Sequence, residues 1–395
     1  MVKVRLVTES YSEKEELIHR LADKYTYEPW RVRSFDMQRA SVILKSPPVE
    51  LLPEDLKNNF QFATLIMQGN GFTFTTSETS SIHDGWDVLS TPYSAEILSG
   101  PPNYDLLLTY DDIIVTDFST LRLREIMGRP TLHYFPFKDK STGVPLHTYL
   151  VINPYEGCAY RCRPCSRLPF FGSANPDYES NISKIVDDID ALVPEKDALK
   201  FINIITGSRD CADADIKLYD EVITAFNSKG FSSEYGVYTP NIHRVADMHL
   251  LRDKGIVFFT ATMETTTPEA RLAFYGRNNP KGKLSFEEIL NTLITAESVF
   301  PYVNTNIMLG YEPIADVKRN LRTLAEKSTA TVNHFIPRIF LKKQFDLIHP
   351  SARNLEYYID MCVFVEREIN AGRKSFGAFF EERFGIPKFN LRFRS

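Results

Sequence analysis

INPYEGCAYRCRPCSR, residues 152–167, carries an apolar strand pattern directly into three cysteines, Cys158, Cys162 and Cys165, separated by three and then two residues. The chain has only five cysteines in 395 residues, so this clustering is a chosen spacing and not scatter. Thiolate is the soft donor that iron–sulfur and zinc sites take. Three thiolates on one loop can wrap a face of a cubane and hold three irons of a [4Fe-4S] cluster, with the fourth iron left open. Two other readings stay open: a structural zinc that draws a fourth ligand from elsewhere in the chain, and three cysteines that merely share a loop.

Downstream of this loop the sequence alternates strand and helix patterns. Apolar, β-branched runs end at Asn153, Thr206, Thr239, Met263, Leu309 and Ile336. Between them, amphipathic patterns cover residues 181–192, 213–228, 244–254, 285–299 and 314–327, several opened by Ser, Thr or Asp and closed by Gly. This rhythm predicts parallel strands joined by crossover helices. The fold class expected is α/β, a partial (β/α)6 TIM-like barrel over residues 141–345. An N-terminal α/β domain precedes it (1–140) and a C-terminal helical extension follows (346–395).

In the first part, residues 12–25 read as an amphipathic helix. Residues 41–45 and 60–68 read as strands, and YDLLLTYDDIIVTD (104–117) as a strand or hairpin feeding a helix at 121–127. In the last part, a helix over 355–371 leads to the aromatic, basic tail FNLRFRS (389–395).

Composition narrows the function. With 46 basic and 51 acidic residues the net charge is -5, which gives no global field for a polyanion, so nucleic acid is not an expected partner. Residues 1–30 carry no apolar h-region, and no run of about eighteen apolar residues occurs, so a cytoplasmic protein without membrane association is expected. No phosphate-cradling loop, G-x-S-x-G elbow or H-E-x-x-H motif is present, which removes the common kinase and hydrolase readings.

The cysteine spacing after a first barrel strand resembles the radical S-adenosylmethionine (radical SAM) superfamily. The resemblance implies that the open iron chelates S-adenosylmethionine, whose reductive cleavage yields a 5′-deoxyadenosyl radical. It also implies an electron donor such as a flavodoxin or ferredoxin. The family usually places an aromatic residue before the third cysteine; here Pro164 keeps a carbonyl but has no amide donor, and Tyr160 is the candidate to cover the cluster.

Further site residues follow by position. Thr206, Gly207 and Ser208 stand where the family binds the methionine amino group, although a plain loop capped by Asp213 or Asp215 explains them as well. TATMETTTPEARLAFYGR, after the fourth strand, resembles biotin-synthase-like members. There Glu264 takes the ribose hydroxyls and Arg277 the methionine carboxylate, with Arg271 competing and a helix capped by Thr267 as the plain structural alternative. Ile307 and Leu309, in a segment with Asn306 in place of a glycine and Glu312 one position early, resemble the strand edge laid against adenine; core packing explains them nearly as well.

Cys211, after the second strand, is a candidate hydrogen-atom donor through a weaker similarity to spore photoproduct lyase, against the alternative of a buried, inert cysteine. Only Cys362 remains beyond it, too few for an auxiliary cluster. The function expected is hydrogen abstraction from a small-molecule or peptide substrate that starts a rearrangement or bond-forming reaction. The rivals are photoproduct-lyase-like nucleic-acid repair and a non-catalytic zinc or iron–sulfur binding protein.

Overall fold

The computed structural model describes residues 4–7, 11–27, 32, 43–44, 64–66, 73–75, 94–97, 109–110, 113–115, 133–139, 145–152, 154, 158–165, 182–193, 196–335 and 347–384. The helix expected at 121–127 and the tail at 389–395 lie outside the described residues.

The chain opens with β1 (Val4–Val7) and α1 (Tyr11–Tyr25), followed by the short strands β2 (Ile43–Leu44), β3 (Thr64–Ile66), β4 (Thr73–Thr75) and β5 (Ser94–Ile97). β5 pairs antiparallel with β1 and parallel with β2, while β3 and β4 form an antiparallel pair.

Next come β6 (Thr109–Tyr110), β7 (Ile113–Val115), β8 (His133–Asp139) and β9 (Pro145–Ile152). β6 and β7 make the hairpin expected from the 104–117 pattern, and β8 pairs antiparallel with both β7 and β9. The sheet that carries the first cysteine-bearing strand therefore begins upstream of residue 140.

From β9 onward every strand pairing is parallel. α2 (Ile182–Leu192), β10 (Leu199–Ile204), α3 (Ala212–Ser228), β11 (Glu234–Thr239), α4 (Val245–Asp253) and β12 (Ile256–Glu264) follow in turn. Two small helices, α5 (Pro268–Tyr275) and α6 (Pro280–Lys283), precede α7 (Phe286–Glu297), β13 (Tyr302–Met308), α8 (Ile314–Lys327) and β14 (Thr331–Phe335). Five successive parallel pairs join β9 to β14, the partial barrel predicted from the sequence rhythm.

The alternation of each strand explains the layering. Ile202, Ile204, Val237, Phe259, Ala261, Val303 and Ile307 enter the main core with residues of the covering helices, including Ile185, Val222, Leu251, Leu290 and Leu321. Their neighbours in sequence face the barrel interior. There Phe201, Phe258 and Tyr302 meet rings from a C-terminal helix.

That region comprises α9 (Leu355–Phe364), which runs on as a π turn over Val365–Ile369, and α10 (Phe376–Phe384). α10 closes the bottom of the barrel with aromatic rings: Phe380 lies 4.8 Å from Phe201, Phe376 5.1 Å from Phe258, and Phe379 4.9 Å from Tyr302. An Arg383–Glu234 ion pair fastens its end. α1 docks on α9, where Lys24 and Tyr25 meet Glu356 and Arg367 donates to the Tyr25 carbonyl. Among the described residues no helix is long and apolar enough to cross a membrane.

The aromatic floor depends on one glycine. A Cβ at Gly236 would stand 2.6 Å from Phe201 Cζ, 2.9 Å from Asn203 Oδ1 and 3.1 Å from Phe258 Cδ1. Gly236→Ala is therefore expected to destabilise by about 1–3 kcal/mol through overpacking. A lower urea midpoint at unchanged slope would show it, and an unchanged midpoint would contradict it.

At the other rim, the edge of β14 is covered by one side chain. The Asn370 amide accepts from Val332 N–H (3.0 Å) and donates to the Val332 carbonyl (2.9 Å). Arg373 donates to the carbonyls of Ala330, Ala325 and Ser328.

Candidate active site

The cysteine loop sits at the C-terminal end of β9, the end of parallel strands where α/β barrels assemble their chemistry. Backbone hydrogen bonds hold it on two sides: Ala159 N–H donates to the Ser208 carbonyl (2.9 Å), and Arg163 N–H to the Phe274 carbonyl (3.0 Å). The Arg163 guanidinium also reaches the Ala273 carbonyl (3.3 Å), placing a cation at the C-terminus of α5, where carbonyl dipoles favour one. Within the loop, Cys165 N–H donates to the Cys162 carbonyl (3.0 Å), and Arg161 takes a left-handed φ of 45°.

Tyr160 is the loop's buried anchor. Its hydroxyl donates to Asn241 Oδ1, and its carbonyl accepts from Asn279 Nδ2 (2.5 Å). Burial, reinforced by the Asp215 carboxylate, pushes its pKa up to about 12, so it acts as a neutral donor. Asn241 in turn donates to Asp215 (2.7 Å) and to the Arg209 carbonyl (3.2 Å), and Asp215 accepts from Arg209 N–H (2.9 Å). Burial raises the Asp215 pKa against the pull of these hydrogen bonds. Asp215 thus organises the loop after β10 from inside α3. The N-cap of α3 is Cys211, which makes no side-chain capping bond, and Asp213 is paired with Arg244 at the surface (3.1 Å).

The three thiols are half-buried. Burial pushes the Cys162 thiol well up, while the ammonium of Lys281 pulls it back toward thiolate. Lys281 itself is buried and forms an ion pair with Glu264 (2.7 Å). Its burial disfavours the charge, but Glu264, then Cys162, outweigh that and raise its pKa. Glu264, at φ 62°, also accepts from the Tyr275 hydroxyl.

Arg271 and Glu312 are structural in this arrangement. Arg271, 1% exposed, donates to the carbonyls of Met263 (2.8 Å), Thr265 (3.0 Å) and Lys281 (2.8 Å). Glu312, 2% exposed, accepts from the N–H groups of Thr266 (2.9 Å) and Thr267 (2.6 Å) at the start of α5, which Thr267 caps as expected. Of the two arginines weighed for a carboxylate, Arg271 is thereby committed to backbone, and Arg277 is exposed in the turn after α5.

The other sequence-derived candidates divide. Thr206, Gly207 and Ser208 are partly exposed, with the Ser208 carbonyl engaged by the cysteine loop. Pro164 is buried. Ile307 and Leu309 belong to the main core. Cys211 is exposed, so the alternative of a buried, inert cysteine does not hold for it; Cys362 is the buried one. Sequence reading missed Asn241 and Asn279, whose partner Tyr160 lies far along the chain, and Lys281 and Tyr275, which meet at Glu264 from the helices after β12. Only Asn279, followed by Pro280, announces itself, as the cap of α6.

The three half-buried thiols are the soft donors that iron–sulfur centres take.

Residues 152–324 match the family model of the Radical SAM superfamily. Among solved structures, the FeFe-hydrogenase maturase from Carboxydothermus hydrogenoformans is similar at 14% identity and a TM-score of 0.39, over 54% of this chain and 52% of that one. Methylornithine synthase is similar at 14% identity and a TM-score of 0.39, over 55% and 61%. Coproporphyrinogen III oxidase from Escherichia coli, described as a radical SAM enzyme, is similar at 12% identity and a TM-score of 0.43, over 59% and 57%. The matches thus span between about half and three fifths of those chains. No curated protein matches the chain.

Proposed function

We propose, from the match of residues 152–324 to the Radical SAM superfamily model, that this enzyme holds a [4Fe-4S] cluster on Cys158, Cys162 and Cys165 and uses S-adenosylmethionine to abstract a hydrogen atom from a small-molecule or peptide substrate. The observation that carries this reading is the three-thiol loop at the C-terminal end of β9, braced through Ala159, Tyr160 and Arg163 against Ser208, Asn241, Phe274 and Asn279. When bound, the cluster and S-adenosylmethionine supply an electron from an external donor such as a flavodoxin or ferredoxin and a 5′-deoxyadenosyl radical.

The protein's own part is placement. Thr206 to Ser208 offer carbonyls to the methionine amino group beside the loop they already hold. Glu264 is presented by the end of β12 toward ribose hydroxyls, its carboxylate held by the ion pair with Lys281. Arg277, exposed at the rim, is the cation for the methionine carboxylate. Tyr160 fixes the loop from beneath. Ile307 and Leu309 stiffen the strand against which adenine lies, and Cys211, exposed above β10, is the proposed hydrogen-atom donor to a substrate radical.

Anaerobic reconstitution with iron and sulfide, then reduction by dithionite in the presence of S-adenosylmethionine, tests the reading. About four irons per chain and release of 5′-deoxyadenosine are expected. Stoichiometric zinc, or a reducible cluster that never cleaves S-adenosylmethionine, would replace it with a metal-binding module.

A further inference from the structure

The barrel interior above the aromatic floor is polar. TIM-like barrels usually fill this space with Val, Ile and Leu. Here the inward positions include Asn203 on β10, Thr260 and Thr262 on β12, Asn304 and Asn306 on β13, and Asn333 on β14, while Tyr238 of β11, opposite Thr260, packs down onto the aromatic floor. The register places them in two rows. Thr260 is opposite Asn304, and Thr262 is opposite Asn306, which is opposite Asn333.

Hydrogen bonds run along each row: Thr260 Oγ1 donates to Asn304 Oδ1 (2.5 Å), and Asn333 Nδ2 donates to Asn306 Oδ1 (3.3 Å). The lower row is closed, with Thr260 and Asn304 both 0% exposed. The upper row opens toward the mouth, where Thr262 and Asn333 are half-buried one step below Glu264. Among the described residues, Asn304 Nδ2 and Thr262 Oγ1 are buried without a hydrogen-bond partner. A buried polar atom left unpaired costs roughly 1–3 kcal/mol, so folding alone does not account for these two atoms.

Resting on the radical SAM reading above, we infer that the upper row, Thr262, Asn306 and Asn333, is the substrate-recognition wall, backed by the closed lower row, and that the group it takes is an uncharged carboxamide. Asparagine and threonine present donors and acceptors side by side, the pattern an amide reciprocates with its own N–H and C=O. No inward position between the floor and Glu264 on the described parts of β10 to β14 is charged, so a carboxylate or ammonium would be desolvated there without a counter-charge. The aromatic floor seals the barrel below and confines the group to the level beneath the mouth.

The test uses the full chain, reconstituted with iron and sulfide and supplied with S-adenosylmethionine, and saturation-transfer NMR with N-methylacetamide, acetate and methylammonium. The amide is expected to bind and the two ions not. Asn333→Leu should weaken the amide about tenfold, the loss of a hydrogen bond with its partner left buried. Asn333→Asp, of nearly the same shape, should gain methylammonium binding, a readout that misfolding cannot mimic.

Equal binding of an ion to the unmodified protein, or indifference of both variants, overturns the inference. Iron content and 5′-deoxyadenosine from the same wild-type batch separate the two levels. A loaded, cleaving enzyme without amide preference overturns this inference alone, whereas an unloaded one overturns the radical SAM reading and this inference with it. Acetylated, amidated triglycine in the same titration separates the sources of the group: tighter binding than N-methylacetamide assigns a peptide, and weaker binding a small amide.

Discussion

Cys162→Ala is expected to yield a folded protein that retains no stable cluster and releases 5′-deoxyadenosine only at background. Two thiolates cannot hold three irons of a cubane, and Cys162 is the middle one of the three proposed ligands. The fold should survive, because the backbone bond that shapes the loop, from Cys165 N–H to the Cys162 carbonyl, does not use the thiol, and neither do the bonds from Ala159 and Arg163. Removing one partly buried sulfur costs about 1–2 kcal/mol, within the usual range for a single substitution. Iron per chain, the visible absorption of the reconstituted protein and chromatography of the nucleoside product measure the outcome. Wild-type iron and product in this variant would show that the three cysteines are not the ligands.

Arg271→Met is expected to have the largest effect on stability, a loss of about 3–5 kcal/mol. Methionine fills similar volume but leaves the carbonyls of Met263, Thr265 and Lys281 without the guanidinium that joins them. Those carbonyls belong to the end of β12 and to α6, the two segments that present Glu264 and Lys281. The consequence extends to the cysteine loop, since Asn279, two residues before Lys281, holds the Tyr160 carbonyl. Denaturant unfolding monitored by circular dichroism should show a large drop in midpoint. A change under about 1 kcal/mol would mean that these carbonyls find other donors at little cost.

The parallel strands and their helices were legible because apolar residues recur at strand and helix periods, and the cysteine loop because its spacing is independent of context. The antiparallel extension was half legible. The 104–117 pattern gives the β6–β7 hairpin, but nothing local says that β8 joins it to β9. The helix Phe376–Phe384 was missed, although Phe376, Phe379 and Phe380 have the i, i+3, i+4 spacing of one helix face.

The polar wall was hidden for a different reason. In a strand, Asn203, Thr260 and Asn304 look like solvent-facing residues, and only closure by the aromatic floor turns that face inward. Tyr160 and Asn241, or Asn279 and the carbonyl of Tyr160, are pairings between distant segments that no local pattern announces.

The amide of Asn370 gives the curved sheet a finished end. A half-barrel has a free margin, and an exposed strand margin is a template on which other chains can polymerise. At β14, the last strand of the sheet among the described residues, one side chain takes both the donor and the acceptor of Val332, so at that residue no further strand finds a partner. An arc finished in this way is less attractive to its own kind.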